Sequence, residues 1–322
     1  MKRGSSGFNF LLAVDKPVGI TSHDVVSHIR RVMGEKRVGH AGTLDPLASG
    51  VMVCGIGQAT RLMGLITQEQ KSYVATICFG AQTSTDDAEG EVIAQAPVPS
   101  RLRDSAYATQ VMKGIVGPQE QIPPAFSAIS VDGKRAYARA RAGETVELAA
   151  RSINILSAEI LSIDVNEDGS LIWVCAFCVS KGTYIRSIAR DLGLSQKTCA
   201  HLTGLKRVAS GDIRLNSCLD MTELDHMAAA SVAEHALDPT AVLKLPVREL
   251  TAQELQDAAC GKHFKLGLSI RNGGAQAQVE VELEDGGKVA LVHEAKLFGI
   301  WRRQGSALVC DTNFPQGIMG VK

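Results

Sequence analysis

The sequence lacks the features of secreted and membrane proteins. Its N-terminus begins with basic residues, but the apolar run that follows is short and ends at Asp15-Lys16-Pro17, unlike a signal peptide. No stretch approaches the ~18 consecutive apolar residues that are typical of a transmembrane helix. The eight cysteines are scattered without the spacing of a disulfide framework. We therefore expect a cytoplasmic protein with reduced thiols and no membrane partner.

Familiar cofactor motifs are also missing. The sequence contains no Walker phosphate-binding loop and no G-x-G-x-x-G pattern after a strand. Cys175 and Cys178 form one C-x-x-C, but no second Cys or Cys/His pair lies at zinc-finger spacing. The run around them is typical of a strand, which would place the two thiols on opposite faces. The sequence predicts neither a cofactor nor a bound metal.

Aromatic residues make up only 4% of the chain, and the formal net charge is zero. A zero net charge argues mildly against a nucleic-acid partner. The charges are unevenly distributed, however. Basic residues predominate between Lys181 and Arg214, and acidic residues predominate between Asp220 and Asp257. Basic surface can therefore be concentrated on one face, so RNA binding remains possible.

The spacing of apolar residues predicts an α+β fold. Apolar and β-branched runs predict strands at 8–14, 51–56, 72–80, 152–165 and 171–180, the last two joined as a hairpin. Helical spacing of Val25, Val26, Ile29, Val32 and Met33 predicts the first helix, and further helices are predicted at 59–66, 101–114, 134–142 and 183–192. Thr21-Ser22 offers an N-cap for the first helix, and Gly34 can end it. Strands and helices do not alternate regularly, which favours a mixed or antiparallel sheet over a doubly wound parallel one.

The pattern changes after about Pro246. Short strands are predicted at 278–283, 288–293, 299–304 and 306–310, with Gly-rich turns between them. For a chain of 322 residues we predict two domains, a large domain at 1–245 and a small β domain at 246–315, with a tail at 316–322. Trp301 beside Arg302 and Arg303 could offer a stacking and phosphate-binding surface, or could only fill that domain's core.

The loop that follows the first helix carries the most unusual residues. Between Gly39 and Gly50 it contains three glycines, His40, Asp45 and a proline. Glycine permits positive φ and close backbone approach, and loops on a rigid scaffold commonly hold reactive groups. The loop is either a functional segment or a tight connection in which Asp45 caps its own turn.

This loop resembles a known catalytic motif. GHAGTLDPLASGVMVCGIGQATRL, residues 39–62, is similar to the catalytic motif of the TruB-type tRNA pseudouridine synthases. Four further segments resemble motifs of that family in the same order: 12–22 (LAVDKPVGITS), 71–73 (KSY), 121–128 (QIPPAFSA) and 180–186 (SKGTYIR). The likeness covers about residues 9–214, and 246–315 resembles the PUA-like β domain of bacterial members. Ser130 departs from the family's usual Lys, which removes one possible RNA contact.

The resemblance implies an isomerase that converts uridine 55 in the T loop of tRNA to pseudouridine. In that reaction the base is detached at N1 from ribose C1′, turned, and rejoined through C5. The reaction is redox-neutral and requires no cofactor. The resemblance also implies that the binding partner is the T arm of tRNA and that the target base is flipped out of its stack. No obligate protein partner is expected.

The resemblance also implies roles for three catalytic residues. Asp45 matches the essential aspartate, which either attacks C1′ or acts as a base at the ribose. Tyr73 matches the tyrosine that stacks on the target base and assists removal of the C5 proton. Arg186 matches the arginine that pairs with the aspartate. Without the resemblance, Tyr73 could be an ordinary strand residue and Arg186 a solvated residue or a phosphate contact.

Seven more residues are expected at the substrate because they lie in or beside these motifs: Lys16, His40, Gly42, Thr43, Lys181, Tyr184 and Leu205. His40 would fill space in the RNA near the extruded nucleotide, and Leu205 would form a wall of the base pocket. Tyr184 suits the core as well as the pocket. Lys16 is expected to order the N-terminal motif rather than to take part in the chemistry.

Three other interpretations compete with this one. The chain could be an RNA-binding module or inactive relative, but a binder does not need a carboxylate that faces the negative charge of RNA. It could be an enzyme guided by a small RNA within a protein complex. Such relatives would be expected to bring docking extensions, whereas this chain begins almost directly at the first motif. It could also be a structural protein without a substrate.

Overall fold

The computed structural model describes residues 6–67, 70–127, 129–131, 133–144, 148–260, 262, 264–265, 270–271 and 282–322. Contacts divide the chain into two compact units. Unit 1 contains 1–44, 51–67 and 211–322, and unit 2 contains 45–50 and 68–210. Among the described residues, none of the helices has the length and apolar character of a membrane span.

The strands are numbered in chain order. They are β1 (Phe10–Lys16), β2 (Val38–His40), β3 (Ala48–Ile56), β4 (Lys71–Phe79), β5 (Ala81–Thr83), β6 (Val92–Gln95), β7 (Gly117–Gln121), β8 (Ser130–Val131), β9 (Lys134–Arg135), β10 (Arg151–Val165), β11 (Leu171–Val179), β12 (Ala200–Ser210), β13 (Ile213–Arg214), β14 (Leu219–Asp220), β15 (Val247–Glu249), β16 (Phe264–Lys265), β17 (Lys288–His293), β18 (Lys296–Gln304) and β19 (Ala307–Met319).

The helices are numbered in the same way. They are α1 (Ser22–Met33), α2 (Met63–Ile66), α3 (Ser105–Gly114), α4 (Ala136–Arg141), α5 (Ile185–Ser195), α6 (Met221–Leu224), α7 (Ala229–Glu234), α8 (Pro239–Leu243) and α9 (Ala252–Ala259). Short 3-10 turns occupy Gly57–Leu62, Ser100–Arg103 and Leu215–Ser217.

Unit 1 begins with a sheet in which β1 lies between β14 and β3, and β2 pairs with β3. Helix α1 covers this sheet because its apolar positions fall on one stripe: Val25, Val26 and Ile29 pack against Phe10 and Met52. The ends of α1 are fixed locally. Thr21 and Asp24 form a reciprocal capping box, and Gly34 ends the helix with a φ of 59°.

A second sheet in unit 1 has the strand order β15-β17-β18-β19-β16. It is the small C-terminal sheet expected from the sequence, and Trp301 lies fully buried in its core. One face joins a larger cluster in which Ile300 and Phe314 pack with Leu11 and Val53. The predicted tail at 316–322 begins within β19, and most of the strand predicted at 278–283 lies outside the described residues.

Unit 2 is organised around five strands in the order β12-β4-β11-β10-β7, and each neighbouring pair is antiparallel. A parallel pairing extends this sheet: Ala48–Gly50, the start of β3, runs beside β12. Gly50 permits this approach, because a Cβ at its φ of 106° would overlap the backbone carbonyl of Arg207. The mixed sheet agrees with the predicted α+β fold.

Four predicted helices start differently from the expectation. The helix predicted at 59–66 is a 3-10 turn as far as Leu62, and α2 follows from Met63. The helix predicted at 134–142 begins at Ala136, because Lys134–Arg135 forms β9. The helix predicted at 101–114 is interrupted at Asp104, whose extended backbone lets its carboxylate accept the Tyr107 N–H and cap α3. The helix predicted at 183–192 begins at Ile185, with Tyr184 as its extended N-cap residue.

Candidate active site

The backbone before Asp45 is fixed by a buried serine. The Ser22 hydroxyl donates to the Leu44 carbonyl and accepts from the Leu44 N–H, both at 2.8 Å. Asp45 is the next residue in the chain, and its carbonyl accepts a hydrogen bond from the Ala48 N–H at 3.0 Å. The loop therefore presents Asp45 from a short and well-supported turn.

The Asp45 carboxylate lies beside Arg186. Arg186 Nε is 2.9 Å from Asp45 Oδ2, in a close ion pair rather than an aligned hydrogen bond. The Arg186 side chain is buried, whereas that of Asp45 is 32% exposed. The Arg186 Nη1 donates to the Thr85 carbonyl at 3.1 Å, and Nη2 donates to the Phe126 carbonyl at 3.0 Å. The planar guanidinium is thereby held from three directions.

A second carboxylate approaches the same guanidinium. Asp87 Oδ2 lies 3.5 Å from Arg186 Nη1, and the Asp87 side chain is only 3% exposed. Asp87 Oδ1 accepts hydrogen bonds from the Thr85 hydroxyl at 2.5 Å and the Glu89 N–H at 3.1 Å. Asp87 thus forms the inner side of the site, and Asp45 is the carboxylate that a ligand can reach.

The segment at 121–126 holds the start of α5 in place. The Gln121 side chain donates to the Tyr184 carbonyl at 3.1 Å and accepts from the Tyr184 N–H at 2.9 Å. One turn later, the Ser187 hydroxyl donates to the Ile122 carbonyl at 2.9 Å. Together with the Phe126 contact, these bonds fix the helix from which Arg186 projects.

Tyr73 and Leu205 lie on neighbouring strands. Tyr73 on β4 pairs with Arg207 on β12, and Ala75 pairs with Leu205. Directly opposed residues of an antiparallel pair share a face, so Tyr73 and Leu205 are diagonal neighbours on one face. Tyr73 is 7% exposed, and Leu205 is half-buried.

The other expected substrate residues differ in exposure. In unit 2, Lys181 is exposed and Tyr184 is half-buried. Burial raises the pKa of the Tyr184 hydroxyl, and Arg186 only partly opposes this effect. The hydroxyl therefore remains protonated at neutral pH and can donate a hydrogen bond.

The remaining expected substrate residues belong to unit 1. His40 ends β2 opposite Cys54 and is half-buried. Gly42 has a φ of 114°, and Thr43 is exposed. Lys16 is fully buried, and its Nζ donates to the carbonyls of Pro17 at 2.8 Å and Ile20 at 2.6 Å. These bonds tie the turn between β1 and α1.

Four residues of this arrangement were not predicted from the sequence. They are Ser22, Asp86, Asp87 and Gln121. The two aspartates lie in a polar turn at 83–90 (TSTDDAEG), a composition that is typical of exposed loops, so the sequence alone did not mark them. Among the residues that the structure describes, no group of three His, Cys, Asp or Glu side chains is placed to hold a metal ion.

The chain is similar to proteins of known type. Residues 30–185 match the model of the TruB family pseudouridylate synthase N-terminal domain. The chain is 40% identical over 285 residues to the tRNA pseudouridine synthase B of Mycobacterium sp. strain KMS. This alignment covers 88% of this chain and 92% of that protein. It is 44% identical over 272 residues to the tRNA pseudouridine synthase B of Mycobacteroides abscessus, and this alignment covers 84% of this chain and 86% of that protein.

A solved structure shares the fold. The chain superposes with a TM-score of 0.63 on a chain of the archaeal box H/ACA sRNP Nop10-Cbf5 complex. The match covers 96% of this chain and 87% of that one, at 22% sequence identity. At this identity the likeness concerns the fold alone.

Proposed function

The chain belongs to the TruB family of tRNA pseudouridine synthases, and we propose that it isomerises uridine 55 in the T loop of tRNA, with Asp45 as the catalytic carboxylate. As a pseudouridine synthase it is an isomerase whose substrate is RNA. The proposal concerns the position of the target uridine and the residues that act on it.

The ion pair between Asp45 and Arg186 carries the proposal. A catalytic carboxylate must approach the phosphates of RNA, and both that charge and loss of water disfavour its ionised form. Arg186 opposes both effects from 2.9 Å. Arg186 is buried and Asp45 is 32% exposed, so the cation is shielded and the carboxylate is the group that a substrate would meet.

The reaction that this site would perform conserves atoms and electrons. The bond between N1 and C1′ breaks, the uracil turns within the pocket, and a bond forms between C5 and C1′. The proton leaves C5 for solvent, and N1 gains one. Asp45 acts at the sugar, either as a nucleophile at C1′ or as a base towards the ribose.

The pocket for the flipped base would be formed by the face that Tyr73 and Leu205 share. The uracil ring stacks on the phenol of Tyr73, and Leu205 provides an apolar wall that excludes water. Tyr73 assists removal of the C5 proton. Lys181 and Tyr184, beside Arg186 in the chain, contact the bound nucleotide.

Unit 1 would add contacts to the rest of the T arm. His40 fills the space that the flipped nucleotide leaves, Gly42 and Thr43 shape the loop before Asp45, and Lys16 orders the neighbouring turn. The enzyme would act in the cytoplasm on tRNA without an obligate protein partner.

Release of tritium tests the proposal directly. Wild-type protein is incubated with an unmodified tRNA transcript carrying uridine labelled with tritium at C5, without cofactor, guide RNA or partner protein. We expect one tritium per tRNA, and none from a transcript in which uridine 55 is replaced by cytidine. Tritium release from the transcript with cytidine at position 55 would show that the target uridine lies at another position. Release only after a guide RNA is added would favour a guided enzyme.

A further inference from the structure

A second arginine of α5 contacts the same two segments as Arg186. Arg190 lies one helical turn after Arg186, and its side chain is 15% exposed. Its Nη1 is 2.9 Å from Asp86 Oδ2, and its Nη2 donates to the Ile122 carbonyl at 2.8 Å. The third donor, Nε, is 2.9 Å from Asp191 Oδ1 at the surface.

The acceptors of the two arginines alternate along the chain. In the loop at 85–87, Thr85 and Asp87 face Arg186, and Asp86 between them faces Arg190. In the segment at 122–126, the Phe126 carbonyl accepts from Arg186 and the Ile122 carbonyl from Arg190. The two guanidiniums therefore join the same two segments to one face of α5.

The loop at 85–87 has an unusual backbone at its centre. Asp86 has a φ of 60°, a left-handed conformation that costs a non-glycine residue about 1 kcal/mol or more. This conformation allows consecutive carboxylates to face different arginines. The Leu202 N–H also donates to the Asp86 carbonyl at 3.1 Å. The strained residue is thus held through its backbone by β12 and through its side chain by Arg190.

The charges of Asp86 and Arg190 depend on each other. Burial raises the pKa of Asp86, and the attraction of Arg190 opposes that shift. Burial alone would lower the pKa of Arg190, but Asp191 and Asp86 outweigh it and raise the pKa. Removal of one partner would therefore leave the other charged group poorly compensated.

We propose that Arg190, through its pair with Asp86, is a positioning residue for the isomerisation. It fixes the carbonyls of Thr85 and Phe126 and the carboxylate of Asp87, which orient Arg186 and so Asp45. Arg190 itself does not touch the substrate, because its three donor groups are already engaged and its side chain is largely buried. The inference rests on the proposed function of the same site.

Three variants and one control test this role. Arg190→Met keeps the length of the stem without the guanidinium, Asp86→Asn removes the charge of its partner, and the double variant combines them. Asp191→Asn is the matched control, since it removes only the exposed partner of Arg190. For each protein we would measure single-turnover pseudouridine formation at saturating tRNA, the Kd for tRNA, and thermal unfolding.

A positioning role predicts slower chemistry with unchanged binding. Each single variant should lose about 10- to 100-fold in single-turnover rate, the scale expected for a displacement of about 1 Å in a catalytic group. The double variant should be no slower than the slower single variant, because Arg190→Met already removes the contact that Asp86→Asn weakens. Asp191→Asn should match wild type in rate and Kd.

Two results would overturn the inference. In the first, the single variants turn over at the wild-type rate per folded molecule, whatever their thermal stability, so that Arg190 is only structural. In the second, Kd rises while the rate at saturation stays at the wild-type level, so that Arg190 is an RNA contact. Inactive wild-type protein and control would instead contradict the proposed function.

Discussion

The side chain of Gln121 bonds both polar groups of the Tyr184 backbone, donating at 3.1 Å and accepting at 2.9 Å. Tyr184 is the N-cap residue of α5, and Arg186 follows two positions later. A side chain on β7 therefore determines where the helix begins, and with it the position of the guanidinium beside Asp45.

Gln121→Ala should impair both stability and chemistry. Gln121 is buried, so its loss leaves the two Tyr184 groups without this partner at a cost of about 2 kcal/mol in the free energy of unfolding. The single-turnover rate should fall because Arg186 loses its support. Glu120→Ala on the same strand, where the side chain is exposed, is the control. A stable variant with a wild-type rate would show that α5 is positioned without Gln121.

Arg186→Ala should cost turnover rather than affinity for tRNA. Loss of a preorganised charge at a reacting group typically costs about 10²- to 10³-fold in rate. Arg186→Lys restores the charge without the planar fork and should lie between wild type and Ala. Binding and single-turnover rates across salt concentrations check this. Arg186 would be a phosphate contact if the affinity for tRNA and the salt dependence of that affinity both fell while the single-turnover rate at saturating tRNA stayed at the wild-type level.

An isolated T-arm stem-loop should be a substrate. The proposed target lies in a loop, where a base can be flipped out for roughly a few kcal/mol of unstacking. Comparison of kcat/KM for the stem-loop and for the full tRNA transcript measures how much of the molecule the enzyme reads. A stem-loop that bound but did not react would mean that recognition extends beyond the T arm.

Gly50→Ala should destabilise the protein by about 3 kcal/mol. The substitution forces an L side chain to a φ of 106° and places a Cβ against the Arg207 carbonyl, so the start of β3 must move away from β12. Gly114→Ala at the end of α3, where a Cβ meets no other atom, is the control and should be neutral or slightly stabilising. Urea denaturation compares the two, and equal midpoints would contradict the close approach at Gly50.

Much of the fold could be predicted because its signals are local. Helix α1 begins after Thr21, one of the two residues predicted for its N-cap, and ends at Gly34 as predicted, since both caps act on neighbouring backbone groups. The hairpin of β10 and β11 also follows its local pattern. The start of α5 was misplaced because Gln121, 63 positions away, decides it.

The division into domains depends on packing that local patterns do not reveal. The C-terminal sheet was predicted from its short strands, but its burial of Ile300 and Phe314 against Leu11 joins opposite ends of the chain. Removal of residues after 245 would therefore uncover part of the core of unit 1. The boundaries at 245 and 315 stay predictions.

The site was predicted only where motifs marked it. The resemblance identified Asp45 and Arg186, and the structure places them in contact. The supporting network of Asp86, Asp87 and Arg190 was missed because its partners lie about a hundred residues apart: Arg190 and Asp86 are 104 positions from each other. No local pattern in one sequence indicates such a pair.

Tritium release by the Asp45→Asn variant tests the central claim most directly. Asn is close to Asp in size but supplies neither the negative charge nor the nucleophile. With labelled tRNA at saturation, we expect the single-turnover rate to fall by at least ~10³-fold relative to wild type, as when an enzyme loses its nucleophile. The Kd for tRNA and the unfolding temperature should remain unchanged. Release at a rate comparable to wild type would contradict the account and place the catalytic carboxylate elsewhere.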